Sequence, residues 1–302
     1  MQLKRREFLR CSALGVGAVI AGARFAGAAE PAAASFDPYE KVALGGSGLK
    51  VPRFCLGTGT NGWQRKSNQT RLGQRGFTAL VRGAHERGVR LFDSADLYGT
   101  HPCLVPALKG IARSDYFIVS KIWWAHGGLP ESERPDADVV VPRFLKELQT
   151  DYIDLLLLHC VTAAKWPQEL RRQMDLMVKL KEKGTVRALG VSCHSLKALE
   201  AAIDEPWVDS VHARINPYGM AMDGSPEKVL PVLRKLHASG KGVVGMKLIG
   251  AGELRHDEER RDASVRFVLQ SGCVDVLNVG CESLDEVDDF AARVRQVPRR
   301  TA

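Results

Sequence analysis

The sequence is poor in the residues that announce a metal or disulfide scaffold. It has seven cysteines in 302 residues and no C-x-x-C pair. No histidines stand in H-x-x-x-H or H-E-x-x-H spacing, so a metal-dependent hydrolase is disfavoured and no metal ligand is assigned. Aromatic residues make up 7% of the chain, and no basic stripe is interleaved with them, which argues against nucleic acid as a partner. After residue 30 there is no apolar run of about 20 residues, so no stable membrane insertion of the mature chain is expected. GTGTNG (57–62) has glycines in the spacing of a dinucleotide loop, but no helix pattern opens on it. That disfavours a doubly wound sheet.

What is present begins with a distinctive first segment. KRREFLR (4–10) precedes CSALGVGAVIAGARFAGAA, a basic region followed by an apolar one and the small-residue site Ala26-Gly27-Ala28. Arg5-Arg6 with Phe8-Leu9 resembles the twin-arginine export signal. The resemblance implies passage through the twin-arginine export machinery, cleavage after about Ala28 and residence in a bacterial periplasm. A retained N-terminal anchor is the alternative. Lys4, Arg5, Arg6, Arg10 and Arg24 against Glu7 give this segment a net charge of +4, half of the chain's +8. That route carries proteins folded in a reducing cytoplasm, so the remaining six cysteines are expected as free thiols. The expected organisation is a signal at 1–28, a linker at 29–40, one domain at 41–295 and a basic tail at 296–302.

From residue 54 onward one unit repeats. Short apolar runs (FCLGTG, VRLFDSA, FIVSKI, YIDLLLLH, VRALGVSC, DSVHARIN, VVGMKLIG and VDVLNVG) alternate with segments of helical period that often end in glycine. Eight strand–helix units in about 250 residues predict a single-domain (β/α)8 TIM barrel. Continuous runs such as LLLL fit parallel strands buried on both faces. KVALGGSGLKVP (41–52) reads as a hairpin closing the barrel floor.

A barrel of this kind carries its active site at the C-terminal ends of its strands. LFDSADLYG (91–99) runs an apolar strand into Asp93, with Tyr98 and the turn-forming Gly99 just beyond. Lys121 ends FIVSKI and His159 ends YIDLLLLH. A phenol with a pKa near ~10 is a poor acid at neutral pH, and a neighbouring lysine lowers it. A carboxylate holds that lysine charged, and a neutral histidine hydrogen-bonds a carbonyl oxygen. The set suits protonation of a carbonyl oxygen while hydride arrives at carbon.

These motifs, DSADLYG (93–99), VSKI with Lys121, DLLLLHC with His159 and VRALGVS (186–192), resemble the aldo-keto reductase superfamily, in order, over residues 40 to 290. The resemblance implies an NAD(P)-dependent oxidoreductase interconverting a carbonyl and an alcohol on a small metabolite or sugar. Tyr98 would be the general acid and base, Lys121 would lower its pKa, Asp93 would pair with Lys121, and His159 would orient the carbonyl. It also implies a cofactor cradle. Gly57, Thr58 and Asp93 stand at its first two strand ends. Ser192 is followed by Cys193 where the family commonly has asparagine. His212 replaces a glutamine, and Met246 replaces the aromatic that stacks on nicotinamide. Lys247 and the backbone through Leu248 and Gly250 would meet the pyrophosphate, with Gly280 across from them. Glu286 stands where relatives place a base for the 2′-phosphate, which favours NAD over NADP. Phe290 takes the place of an adenine-binding asparagine. Trp123 and Trp124 would wall the substrate pocket.

Two other functions fit the same residues. A non-catalytic, cofactor-binding or regulatory barrel of this superfamily would explain the altered nicotinamide residues. A barrel isomerase or lyase would use Asp93 and Tyr98 without a nicotinamide.

Overall fold

The computed structural model describes residues 34–299. The signal expected at 1–28 lies outside them, as do residues 29–33 of the expected linker and the last three residues of the chain. Two short strands come first, β1 (Lys41–Ala43) and β2 (Lys50–Pro52), paired antiparallel with Val42 opposite Val51. Eight strands follow: β3 (Phe54–Gly57), β4 (Leu91–Asp93), β5 (Phe117–Ile122), β6 (Ile153–Val161), β7 (Val186–Cys193), β8 (Ser210–Arg214), β9 (Gly242–Met246) and β10 (Val276–Gly280). They close in chain order into a parallel barrel, with β10 hydrogen-bonded to β3. This is the (β/α)8 architecture that the alternation of runs predicts.

The helices are α1 (Asn68–Arg71), α2 (Gly73–Glu86), α3 (His101–Leu108), α4 (Ala137–Leu148), α5 (Trp166–Glu169), α6 (Arg171–Glu182), α7 (Leu196–Ala201), α8 (Pro226–Ala238), α9 (Glu258–Gln270) and α10 (Leu284–Arg295). Their starts follow the local chemistry. Ser195 accepts from the Ala198 N–H at α7, Asp257 from the Arg260 N–H at α9, and Ser283 from the Glu286 N–H at α10. Among the described residues no helix is long and apolar enough to cross a membrane.

The core has two parts. Outside the barrel, alternate strand residues pack against the helices, with Phe77, Phe144, Met174 and Leu233 fully buried. Inside its lower half, Leu44, Leu49 and Val51 of the hairpin meet Cys55, Leu91, Val119, Leu155, Val244 and Val276. Each such side chain contributes about 1.5–3 kcal/mol by leaving water. The hairpin therefore is the floor. Its turn needs glycine: Gly45 has φ +52°, and a Cβ there would sit 2.1 Å from the Gly242 nitrogen.

The two ends of the described chain meet. The Phe36 N–H donates to the Val297 carbonyl (3.1 Å) and the Arg299 N–H to the Ala34 carbonyl (2.8 Å). Residues 34–36 and 297–299 are thus hydrogen-bonded to each other. The six cysteines of the described residues are all free.

Candidate active site

The upper end of the barrel brings the four strand-end residues together. Asp93 closes β4, Lys121 lies one residue from the end of β5, and His159 lies near the end of β6. All three are buried. The Lys121 ammonium is ion-paired with Asp93 Oδ1 and donates to the Ser94 carbonyl at 2.9 Å. The second Asp93 oxygen accepts from Asn278 Nδ2 at 2.8 Å. A buried carboxylate with an ammonium and an amide on its two oxygens has its desolvation offset.

Tyr98 stands above this pair on a 3₁₀ turn (Asp96–Tyr98) that ends in left-handed Gly99. Its hydroxyl lies 3.1 Å from His159 Nε2, and the Lys121 ammonium lies 4.7 Å from its ring centroid. Room for the ring is made across the site. A Cβ on Gly59 would fall 2.1 Å from it, and one on Gly62 2.3 Å.

The electrostatics differ from expectation at the tyrosine. Burial, then the Asp93 and Cys160 charges, push the Tyr98 phenol well above its ordinary value. The lysine that was expected to lower it is neutralised by Asp93. Burial, reinforced by Lys121, holds His159 well below the usual imidazole range, so the ring is neutral. The site thus holds a protonated phenol against a neutral imidazole.

A cavity of about 610 Å³ opens over Asp93, Tyr98 and Lys121 and runs to the far rim of β10. Gly57, Asp93, Tyr98 and Lys121 line one end. Met246, Lys247 and Leu248 line one side, and Gly280 and Glu286 lie toward the other end. Ser192 reaches it from β7. A Cβ at Gly57 would come within 2.8 Å of Asn278 Oδ1, and one at Gly280 within 2.1 Å of Thr60 Oγ1, so bare backbone forms this wall.

Four expected cofactor contacts do not line the cavity. Thr58 is buried behind the wall, donating to the Asp93 carbonyl at 2.8 Å. Cys193 points outward into the helix-side core because side chains alternate along a strand, and His194 lines the cavity instead. His212 lies below Asp93, with Nε2 3.8 Å from Oδ1 and both ring nitrogens without hydrogen-bond partners among the described residues. Burial holds its pKa at about 4. Gly250 packs on Met220, while Ala251 and Gly252 line the cavity. Lys247 lines the cavity wall between Met246 and Leu248.

The tryptophans also take other positions. Trp123 is buried with Leu97 and Leu129, its ring edge-on to His159 at 5.4 Å. Trp124 donates to the His159 carbonyl at 2.7 Å. Both brace the histidine and neither lines the cavity. Phe290 does line it, its ring tilted against Phe54 with centroids 4.8 Å apart.

Two functional positions escaped the sequence reading. Asn278 was legible as the one amide inside the apolar run VDVLNVG. Arg255 was not. It lies after β9 and pairs with Glu286, Nε to Oε1 at 2.7 Å, and with Glu282 at 3.5 Å.

Residues 53–294 match the model of the Aldo/keto reductase family. The chain is 27% identical over 183 residues to methylglyoxal reductase DkgB of Salmonella typhimurium, covering 56% of this chain and 59% of that protein. The match therefore spans less than two thirds of that relative. Among solved structures, an aldo-keto reductase from Bacillus halodurans in its holo form superposes with a TM-score of 0.69 at 20% identity, covering 87% of this chain and 93% of that one. An aldo-keto reductase from Klebsiella pneumoniae in complex with NADPH gives 0.62 at 19%, over 86% and 91%. At these identities the two structures speak for the fold.

Proposed function

We propose that the chain, which belongs to the aldo/keto reductase family, is an NAD(P)-dependent oxidoreductase interconverting a carbonyl and an alcohol on a small metabolite or sugar. The carrying observation is the Tyr98 hydroxyl 3.1 Å from a neutral His159 Nε2, with Tyr98 lining a cavity of about 610 Å³ that extends to Glu286 and Phe290. DkgB is named a methylglyoxal reductase, which supports the same bond class.

A nicotinamide would supply the hydride. The residues present fit such a group: glycine backbone at 57 and 280, Ser192, Met246 and Leu248 on the walls, and Phe290 with Arg255 at the far rim. Tyr98 gives its proton to the carbonyl oxygen in reduction and takes it back in oxidation. Because the buried phenol stays protonated at neutral pH, it is loaded as an acid. His159, with its proton on Nε2, donates to the same oxygen. Lys121 meets the phenolate as it forms, and Asp93 and Asn278 keep the ammonium in place. The Klebsiella complex holds NADPH, and the far rim of this chain carries Arg255, Arg261 and Arg293, so NADP is as well supported here as NAD.

Tyr98→Phe tests this reading. Turnover should fall about 10²–10⁴-fold while NADPH or NADH still quenches tryptophan fluorescence. Unaltered turnover would sink the tyrosine assignment. Binding without any turnover in the wild type would favour the non-catalytic barrel.

The segment at 1–28 supports export by the twin-arginine route, with the nucleotide carried out already bound. A mature chain beginning at residue 29 in the periplasmic fraction is the expected result. An uncleaved chain in the cytoplasm would reject it.

A further inference from the structure

The tetrad end of the cavity carries more positive charge than its acids neutralise. Lys121 is spent on Asp93. Arg214 is spent on the buried Asp223 and also donates to the His194 carbonyl at 3.1 Å. Lys247 has no such partner. Among the described residues no carboxylate lies within ion-pair distance of its ammonium, although the side chain is half-buried in the cavity wall. The histidines nearby add no counter-charge. His194 is held at about 3 by burial, and Cys160, whose thiol lies 3.3 Å from His194 Nε2, is pushed up to about 11.

The position of this lysine is fixed. Its backbone is left-handed, φ +62°, and its carbonyl accepts from Asn216 Nδ2 at 3.1 Å and from the Gly250 N–H at 2.9 Å. A non-glycine residue in that region is strained, and the surrounding bonds hold it there. Lys247 lines the same cavity as Tyr98 and Lys121. The arginines of the far rim, Arg255, Arg261 and Arg293, all have carboxylate partners. Lys247 is therefore the cation of this cavity still open to an external anion.

We propose that Lys247 binds a carboxylate on the substrate, so that the preferred substrates are oxo acids: small aldehydes or ketones that also carry an anionic group. The inference rests on the carbonyl–alcohol reading above and sharpens its substrate class. A substrate whose carbonyl meets Tyr98 shares its cavity with Lys247, so an anionic group on the same molecule has this ammonium as its partner. Neutral carbonyls react at the same centre without that hold. The contact is charge-assisted and partly screened from water, where such a bond is strongest.

The test compares 4-oxobutanoate with butanal, aldehydes of equal carbon count that differ in the terminal carboxylate, using NADPH and NADH. Wild type should show the higher kcat/KM for 4-oxobutanoate. Lys247→Gln should lower the ratio of the two kcat/KM values at least about ten-fold, mainly through KM for the anion. Lys247→Arg should restore most of the ratio. Tryptophan quenching by NADPH reports cofactor affinity in each variant. An unmoved ratio, or a loss of NADPH affinity with both aldehydes affected alike, assigns Lys247 to the cofactor and overturns the proposal. Wild-type turnover of butanal without preference for 4-oxobutanoate overturns it while the carbonyl reading stands. Turnover of neither aldehyde with either nucleotide removes both.

Discussion

Arg255 reaches across the mouth of the cavity to Glu286, on the first turn of α10, and holds its carboxylate through Nε at 2.7 Å. The same carboxylate accepts from the Glu282 N–H, also at 2.7 Å. Glu286 is therefore already paired before any nucleotide enters. The expectation that it repels a 2′-phosphate assumed a free negative charge, and the arginine that cancels it comes from the other side of the site.

Arg255→Ala should restore that negative charge. The pair is half-exposed, so global stability should change by no more than about 1 kcal/mol. Nucleotide choice should change more. The ratio of the NADPH to the NADH dissociation constant should rise about ten-fold, because only NADPH carries the phosphate. Fluorescence titration of both nucleotides reads this directly. Equal weakening of the two would mean that Arg255 acts as a general clasp and does not discriminate between them.

Gly59→Ala addresses the tyrosine without touching it. The added methyl would overlap the Tyr98 ring at 2.1 Å and must move it off His159. The expected cost in stability is that of overpacking, about 1–3 kcal/mol, or a few degrees in Tm. The expected loss in kcat is far larger, approaching that of Tyr98→Phe. Full activity in a stable Gly59→Ala protein would show that the ring works in another position.

The sequence readings succeeded and failed for physical reasons. Strands were legible because each is an apolar run of few residues, and Asp93, Lys121 and His159 stood out as polar side chains at the ends of such runs. The helix α3 was hidden by Pro102 and Pro106. The first of these lies in the opening turn, where no N–H is required. Cys193 and Thr58 were placed at the right strand ends, but which face a strand-end side chain takes depends on local alternation. Lys121 was expected to acidify Tyr98 because a lysine beside a phenol does so in isolation. The pairing of Asp93 with Lys121 was expected; the sequence did not reveal Asn278 on the second Asp93 oxygen, nor that burial would dominate the phenol. The Arg255–Glu286 contact joins residues 31 positions apart, one on the loop after β9 and one on the first turn of α10, and no local pattern records it.

His212 offers a test that needs no substrate. The ring is fully buried beneath Asp93 with neither nitrogen hydrogen-bonded, and its pKa falls from 6.5 to about 4 on folding. The sign follows directly. Between those values the unfolded chain binds a proton at this histidine and the folded chain does not. Stability from this group is therefore complete above pH 6.5 and is lost progressively as pH falls toward 4. By pH 5 the loss is on the order of 2 kcal/mol. His212→Gln replaces the ring with an amide that does not titrate in this range. Urea unfolding at pH 7 and pH 5 should show the wild type losing about that much more than the variant between the two. A variant stability at pH 7 below that of the wild type would not disturb the comparison, since it reads the difference between two pH values in each protein. Equal losses would mean that His212 already carries its proton in the folded protein, shared with Asp93 at 3.8 Å. The pair would then be an ion pair, and Asp93 would divide its charge between His212 and Lys121.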